Sequence, residues 1–281
     1  KSLNVAETSF SNLTLSNTRY TSLLNDKGNE IRFENSDVTG TFTIPKDKQR
    51  DLSIQLDFIK LNQSKETSQQ SFLTLFNNIN TTIEFKTDAL IFNSTDYGNW
   101  KFLVVPNNNA LSLINMEGKY GKWGLKRNKE NNSTLEIIKT PLGWASSLET
   151  QIYSGSPEKG FKQIGLEPNF ELDKVSLFTD IRWSSLPWNF NYSSFVGEIS
   201  FELDDLTIEN DENIEMPNNF LRLINIFNIT DSFEKVTNLD FRKLYKRGFS
   251  ADNVKGSIKI RPNSLEINDP IIFTSGSSEF R

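Results

Sequence analysis

Apolar and polar residues alternate with a period of two through most of the chain. The pattern is cleanest over Asp51–Lys60, where Leu52, Ile54, Leu56 and Phe58 share one face and Ser53, Gln55 and Asp57 the other, as successive side chains of a strand must. Leu172–Trp183 and Gly197–Ile208 repeat it at greater length. Shorter runs of the same kind are Val5–Leu15, Asn17–Leu24, Glu30–Phe33, Val38–Ile44, Thr81–Phe85, Ala89–Phe92, Gly98–Val105 and Ala110–Tyr120. Gly121–Arg127, Thr134–Ile138, Leu148–Ser154, Val254–Arg261, Ser264–Ile267 and Ile271–Ser275 continue the series. Turn signals such as Asn25-Asp26-Lys27-Gly28 and Pro106–Asn109 separate the runs. This reading predicts a mainly β chain, with one helical turn in Ser156–Leu166 and Ser71–Asn78 open between helix and strand.

The period changes once. Between Glu215 and Ile260 a helix is predicted over about residues 217–230, opened by Pro217 at its first turn. Phe220, Leu223, Ile224 and Phe227 recur at i, i+3, i+4 and i+7, the stripe of a helix with a buried face. Leu221 and Ile226 fall off that stripe, so a second side is apolar too. A lone helix of this kind among strands reads as a plug or a cap.

Composition narrows the chemistry. The chain has 281 residues, 36% hydrophobic content and a mean hydropathy of −0.48. No run approaches the roughly 18–20 apolar residues of a membrane span. It opens at Lys1 with neither an initiator methionine nor a signal segment, so it reads as a piece of a longer protein, and with no evident linker as one extended domain over 1–281. A net charge of −5 argues against nucleic acid as a partner. There is no Cys and no His, which removes thiolate chemistry, Cys-ligated metal and the Ser-His-Asp triad. No Gly-rich phosphate loop occurs, and Asn210–Asn213 lacks the Gly and Glu of a calcium loop. Carboxylate pairs such as Asp204-Asp205 read as solvated strand ends, and the basic run Arg242–Arg247 as a wet face. The expectation is therefore a non-enzyme with no metal and no cofactor. Trp100, Trp123, Trp144, Trp183 and Trp188 read first as core residues and second as platforms for sugars.

The last hundred or so residues carry a specific pattern. Val175 onward reads VSLFTDIRWSSLPWNFNYSSFVGEISFELDDLTIE, followed by FLRLINIFNI and LDFRKLYKRGFSADNVKGSIKI. A strand ending in Trp183, a Pro187-Trp188 corner, a Gly-initiated strand pair and an apolar helix precede a motif supplied by Leu239, Asp240, Phe241, Leu244, Tyr245, Lys246 or Arg247, Gly248, Phe249, Asp252, Val254 and Gly256. This resembles the C-terminal region of the YhdP family of AsmA-like proteins; Val38–Leu61 and Ala89–Trp123 resemble its earlier strands more loosely. The helix departs from the family by placing Asn218 and Asn219 at its start and Arg222 and Asn225 within it.

The resemblance implies a long curved antiparallel sheet folded, taco-like, into a hydrophobic groove. It also implies a periplasmic segment of a Gram-negative, inner-membrane-anchored protein that carries phospholipid between inner and outer membranes and so supports outer-membrane lipid homeostasis and the permeability barrier. The partners implied are phospholipid, the two membranes and other envelope proteins. Candidate groove residues are Leu52, Ile54, Leu56 and Phe58; Val175, Leu177, Ile181 and Trp183; and Ile199, Phe201 and Leu203. Phe220, Leu223, Ile224 and Phe227 would be the plug or gate. The alternation alone favours these faces packing into an ordinary sandwich core; the resemblance reverses that order. A carbohydrate-binding or adhesin-like β-sandwich is the alternative function.

Overall fold

The computed structural model describes residues 2–10, 13–24, 26, 28–47, 50–61, 80–107, 109–126, 133–163, 170–187, 189, 194–208, 249–262 and 264–280. The helix expected over 217–230, with Phe220, Leu223, Ile224 and Phe227, lies outside the described residues, as do Trp188, Ser71–Asn78 and the motif up to Gly248.

The mainly β expectation is borne out. In chain order come β1 (Ser2–Phe10), β2 (Leu13–Leu24), β3 (Gly28–Glu34), β4 (Val38–Pro45), β5 (Leu52–Leu61), β6 (Ile83–Thr87) and β7 (Leu90–Phe92). Next are β8 (Thr95–Asp96), β9 (Asn99–Asn107), β10 (Ala110–Tyr120), β11 (Trp123–Lys126), β12 (Thr134–Thr140) and β13 (Gly143–Ser154). A short helix α1 (Pro157–Gln163) precedes β14 (Phe170–Glu171), β15 (Lys174–Trp183), β16 (Val196–Ile208) and β17 (Phe249–Arg261). The end of the chain supplies β18 (Ser264–Ile267), β19 (Ile272–Ser275) and β20 (Ser278–Phe280). The helical turn expected within Ser156–Leu166 is α1. The expected first two strands divide instead between Phe10 and Leu13.

Contacts divide the chain into two compact units, Lys1–Tyr120 with Asn132–Ile138, and Gly121–Asn131 with Lys139–Arg281. In the first, β1 to β5 form an antiparallel meander. β6 and β7 then run parallel to β5, pairing Leu52 with Ile83 and Ile59 with Leu90. This corrects the expectation of a wholly antiparallel sheet: the chain returns to the start of β5 before pairing, the crossover a parallel pair demands. β6 continues through β9 and β10 to β12, again antiparallel.

Two irregularities shift side chains between faces. β4 pairs Gly40 with Leu56 but Thr39 with Phe58, leaving Asp57 as an inserted residue. β10 shifts register between Ile114 and Glu117, around Asn115 at φ 55°. Each is a bulge, which resets the alternation beyond it.

In the second unit β13, β15, β16 and β17 are long antiparallel neighbours. β18 and β19 share the far edge of β17. Burial alternates on β15 from Val175 to Trp183 and on β16 from Ile199 to Leu203. The next buried residue on β16 is Leu206, past Asp205 in the left-handed conformation at φ 53°; the pairing with β17 keeps its register, and Leu206 meets the buried Ala251. Helix α1 is held at β11: the Lys122 amide donates to Gln163 Oε1 at 3.2 Å, and Phe161 lies edge-on between Trp123 (5.2 Å between centroids) and Phe170 (5.8 Å).

Candidate functional site

The site is built from strand pairing. In the first unit, Phe42, Ile54 and Phe85 lie side by side on β4, β5 and β6, and Phe85 pairs with Phe102 of β9. The last two rings stack at 4.8 Å. The next row is Leu52, Ile83, Val104, Leu113 and Leu135. A third runs Phe33, Gly40, Leu56, Thr87, Trp100 and Gly118. Alternation puts these rows on one face, and they join strands that are distant in sequence. Leu52, Ile54, Phe85, Phe102 and Val104 are half-buried, and the face runs on to Ile44 (40% exposed) and Leu24 (74% exposed). The first two rows are thus open where a filled core would be sealed, whereas the third is closed: Leu56 is 3% and Thr87 1% exposed, and Gly118 is buried.

Across β3 to β6 the opposite face is ionic. Arg32 meets Asp57 at 3.2 Å and Lys101 meets Glu84 at 3.4 Å, all four side chains exposed. Pairs so wet stabilise little; they keep that face in water.

The sequence-derived set divides here. Leu52, Ile54 and Leu56 share the apolar face. Phe58 does not: the Asp57 insertion sets it opposite Thr39, and Ile59, opposite Val38, carries the row onward. The Lys60 ammonium lies 5.3 Å from the Phe58 ring, a partner suited to the wet side. Phe42, Phe85, Trp100, Phe102 and Val104 were missed, although Trp100, Phe102 and Val104 alternate as plainly as Leu52 and Ile54.

In the second unit the candidates come together across strands: Val175 beside Leu203, Leu177 beside Phe201, and Ile181 beside Gly197, with Ile199 opposite Thr179. β17 adds Val254, Gly256, Ile258 and Ile260. All seven apolar candidates on β15 and β16 are between 2% and 9% exposed. This face is sealed, as is the Leu56 row of the first unit, while the Phe42 and Leu52 rows there are half-open. Trp183 belongs to a local corner: its indole N–H donates to the Leu186 carbonyl at 3.3 Å and its ring packs on Phe195 at 5.5 Å. On the reverse face, Lys255 Nζ lies 2.9 Å from Glu202 and Asn253 donates to both Glu202 and Asp204. The Lys255 hydrogen bond, helped by that of Asn253, outweighs burial and holds the Glu202 carboxyl below the usual carboxylate range.

Among the described residues no group of three or more Asp or Glu is placed to hold a metal, and no helix is long and apolar enough to cross a membrane. Trp183 is buried, and Trp100, Trp123 and Trp144 are half-buried. The arrangement offers apolar surface in strand-wide rows, backed by charge.

Such a protein is defined by a sheet with one greasy and one wet side. A family model described as YhdP protein matches residues 1–272, and the chain belongs to the YhdP family. Its class is therefore that of bridge-like lipid-transfer proteins of the cell envelope. Neither the curated proteins nor the solved structures give a match.

Proposed function

We propose that this chain is a periplasmic, non-catalytic segment of a protein carrying phospholipid between the inner and outer membranes, and that the half-open apolar face of its first unit shields the acyl chains on the way. The observation that carries this reading is the half-open apolar face of the first unit, crossing β3 to β6, β9, β10 and β12 by strand pairing. Exposing a methylene to water costs about 0.8 kcal/mol, so a sixteen-carbon tail costs on the order of 12 kcal/mol unless covered. Rows of Phe, Ile, Leu and Val supply that cover without recognising a particular atom. The task requires no acid, base or metal. Outer-membrane lipid homeostasis and the permeability barrier would then depend on the carried flux.

The sugar-platform alternative needs exposed, coplanar Trp rings, and no described Trp is exposed. Native mass spectrometry of the purified chain tests the proposal. Co-purifying phospholipid, exchangeable against added phospholipid, is expected. A chain that stays lipid-free when mixed with phosphatidylglycerol micelles would sink the proposal.

A further inference from the structure

We infer that the open face of the first unit narrows, at β10 and β12, to a neck one row wide that takes a single acyl chain of a phospholipid. The inference rests on the lipid-carrying reading and adds to it how many tails the face holds at each point. It starts from the bulge in β10. Ile114 pairs with Leu103 and Glu117 with Lys101, so Phe102 alone faces both Asn115 and Met116. Counting by twos, Asn115 lies on the side of Leu113, and Met116 on the side of Gly118 and its partner Trp100. Both are the apolar side. Two side chains, one of them a carboxamide, therefore stand where the row of Ile54, Phe85 and Phe102 would continue. The Met116 N–H donates to the Ser133 carbonyl at 3.0 Å and ties the approach to β12 into the same block. Met116 is 6% exposed and Ser133 1%.

The other border closes as well. One row beyond Leu113 and Leu135, Leu111 pairs with Pro106 and Ile137, and Leu111 and Ile137 are 5% and 3% exposed. Side chains so little exposed have other atoms packed over them. Between the two borders Leu113 and Leu135 stay half-buried and floor the neck. Across β5, β6 and β9, by contrast, two rows are half-open, Ile54, Phe85 and Phe102 beside Leu52, Ile83 and Val104. Neighbouring rows lie two residues apart along each strand, about 7 Å. Carbon atoms of packed hydrocarbon approach to about 4 Å, so one row floors one tail and two tails side by side need both rows. A diacyl phospholipid rests both tails on the wide part and sends one of them into the neck.

The test uses the purified chain and phosphatidylglycerol bearing a diazirine at the end of each tail, with crosslinked sites mapped by peptide mass spectrometry and the urea midpoint measured alongside. The unaltered chain is expected to link both tails of one lipid within β5, β6 and β9, and only one tail within β10 and β12. A tryptophan fills a neck one row wide but leaves the second row free where two are open. Leu113→Trp is therefore expected to lower crosslinking within β12 about tenfold, as crowding at a packed site does, and to leave that within β5 and β6 unchanged. Ile54→Trp is expected to lower crosslinking within β5 and β6 no more than about twofold, because the Leu52 row stays open. If Leu113→Trp fails to fold, Leu135→Trp carries the test, with the loss read within β10. Both tails of one lipid linked within β10 and β12, no link there at all, or links there that survive the neck variants would overturn the neck alone. No crosslinking anywhere on the unaltered chain would overturn the lipid-carrying reading and the neck together.

Discussion

Phe58 and Ile59 are neighbours whose fates are separated by the single inserted residue before them. Because the Asp57 bulge returns Ile59 to the row of Leu56, Ile59→Asp is expected to reduce lipid capture several-fold, whereas Phe58→Asp is expected to leave it unchanged. Photo-crosslinking with acyl-labelled phospholipid checks this, and the reverse order would mean that the register is wrong. Glu202 makes the second residue-scale case. Its carboxyl is held below the ordinary range chiefly by Lys255, so it contributes stability that is present at neutral pH. That contribution is lost as pH falls from the ordinary glutamate range, near 4.3, through the lower folded value. Because both side chains are half exposed, its size is under about 1 kcal/mol. Urea titrations at pH 7 and pH 3 are expected to differ less in Glu202→Gln than in the unaltered chain.

At the scale of the strand, the two units answer truncation differently. Leu203 is 3% exposed between Val175 and Val254, and Leu203→Ala is expected to cost about 2–5 kcal/mol, the range for an emptied core site. Ile54, half-buried on the open face, is the opposite case: Ile54→Asp is expected to leave the unfolding midpoint within about 1 kcal/mol, as solvent-reached sites do, while reducing lipid uptake. Chemical denaturation and lipid mass spectrometry on the same samples separate the two effects. Strand existence was legible because a half-covered strand writes its burial as a period of two. Leu52, Ile54 and Leu56 or Val175 and Leu177 could be read directly. The bulge at Asp57 and the left-handed Asp205 were not legible, since nothing in Leu-Asp-Phe or Asp-Asp-Leu distinguishes an inserted or twisted residue from an ordinary exposed one. Which strand neighbours which was equally hidden. The pairing of Phe85 with Phe102 depends on the parallel return to β5, a long-range choice that local alternation does not encode. Gly256 showed in the sequence only as the last position of a motif; the Phe201 and Ile271 side chains packed against it leave no room for a Cβ.

For the whole molecule, carrying lipid has a thermodynamic signature. A ligand bound only by the folded chain stabilises it by RT ln(1 + [L]/Kd), about 2.7 kcal/mol at a hundredfold excess over Kd. Stripping co-purified lipid with detergent and then removing the detergent is therefore expected to lower Tm by several degrees, and phosphatidylglycerol to restore it. A melting point indifferent to lipid would mean that the apolar faces bind none. Composition foretold much at this scale: with no His and no Cys, a surface that merely covers hydrocarbon is within the chain's means, and the family match over residues 1–272 names the class that uses such surfaces.

The parallel return to β5 also has a consequence in time. During synthesis β4 is already present when Leu52–Leu61 emerges, but the other border of β5 stays bare until Ile83–Phe92 has followed. A bare strand border recruits foreign chains, so this interval is when a nascent copy is most prone to aggregate. Pulse-labelling of amides during refolding should find the β5–β6 ladder protected after the β3–β4 ladder.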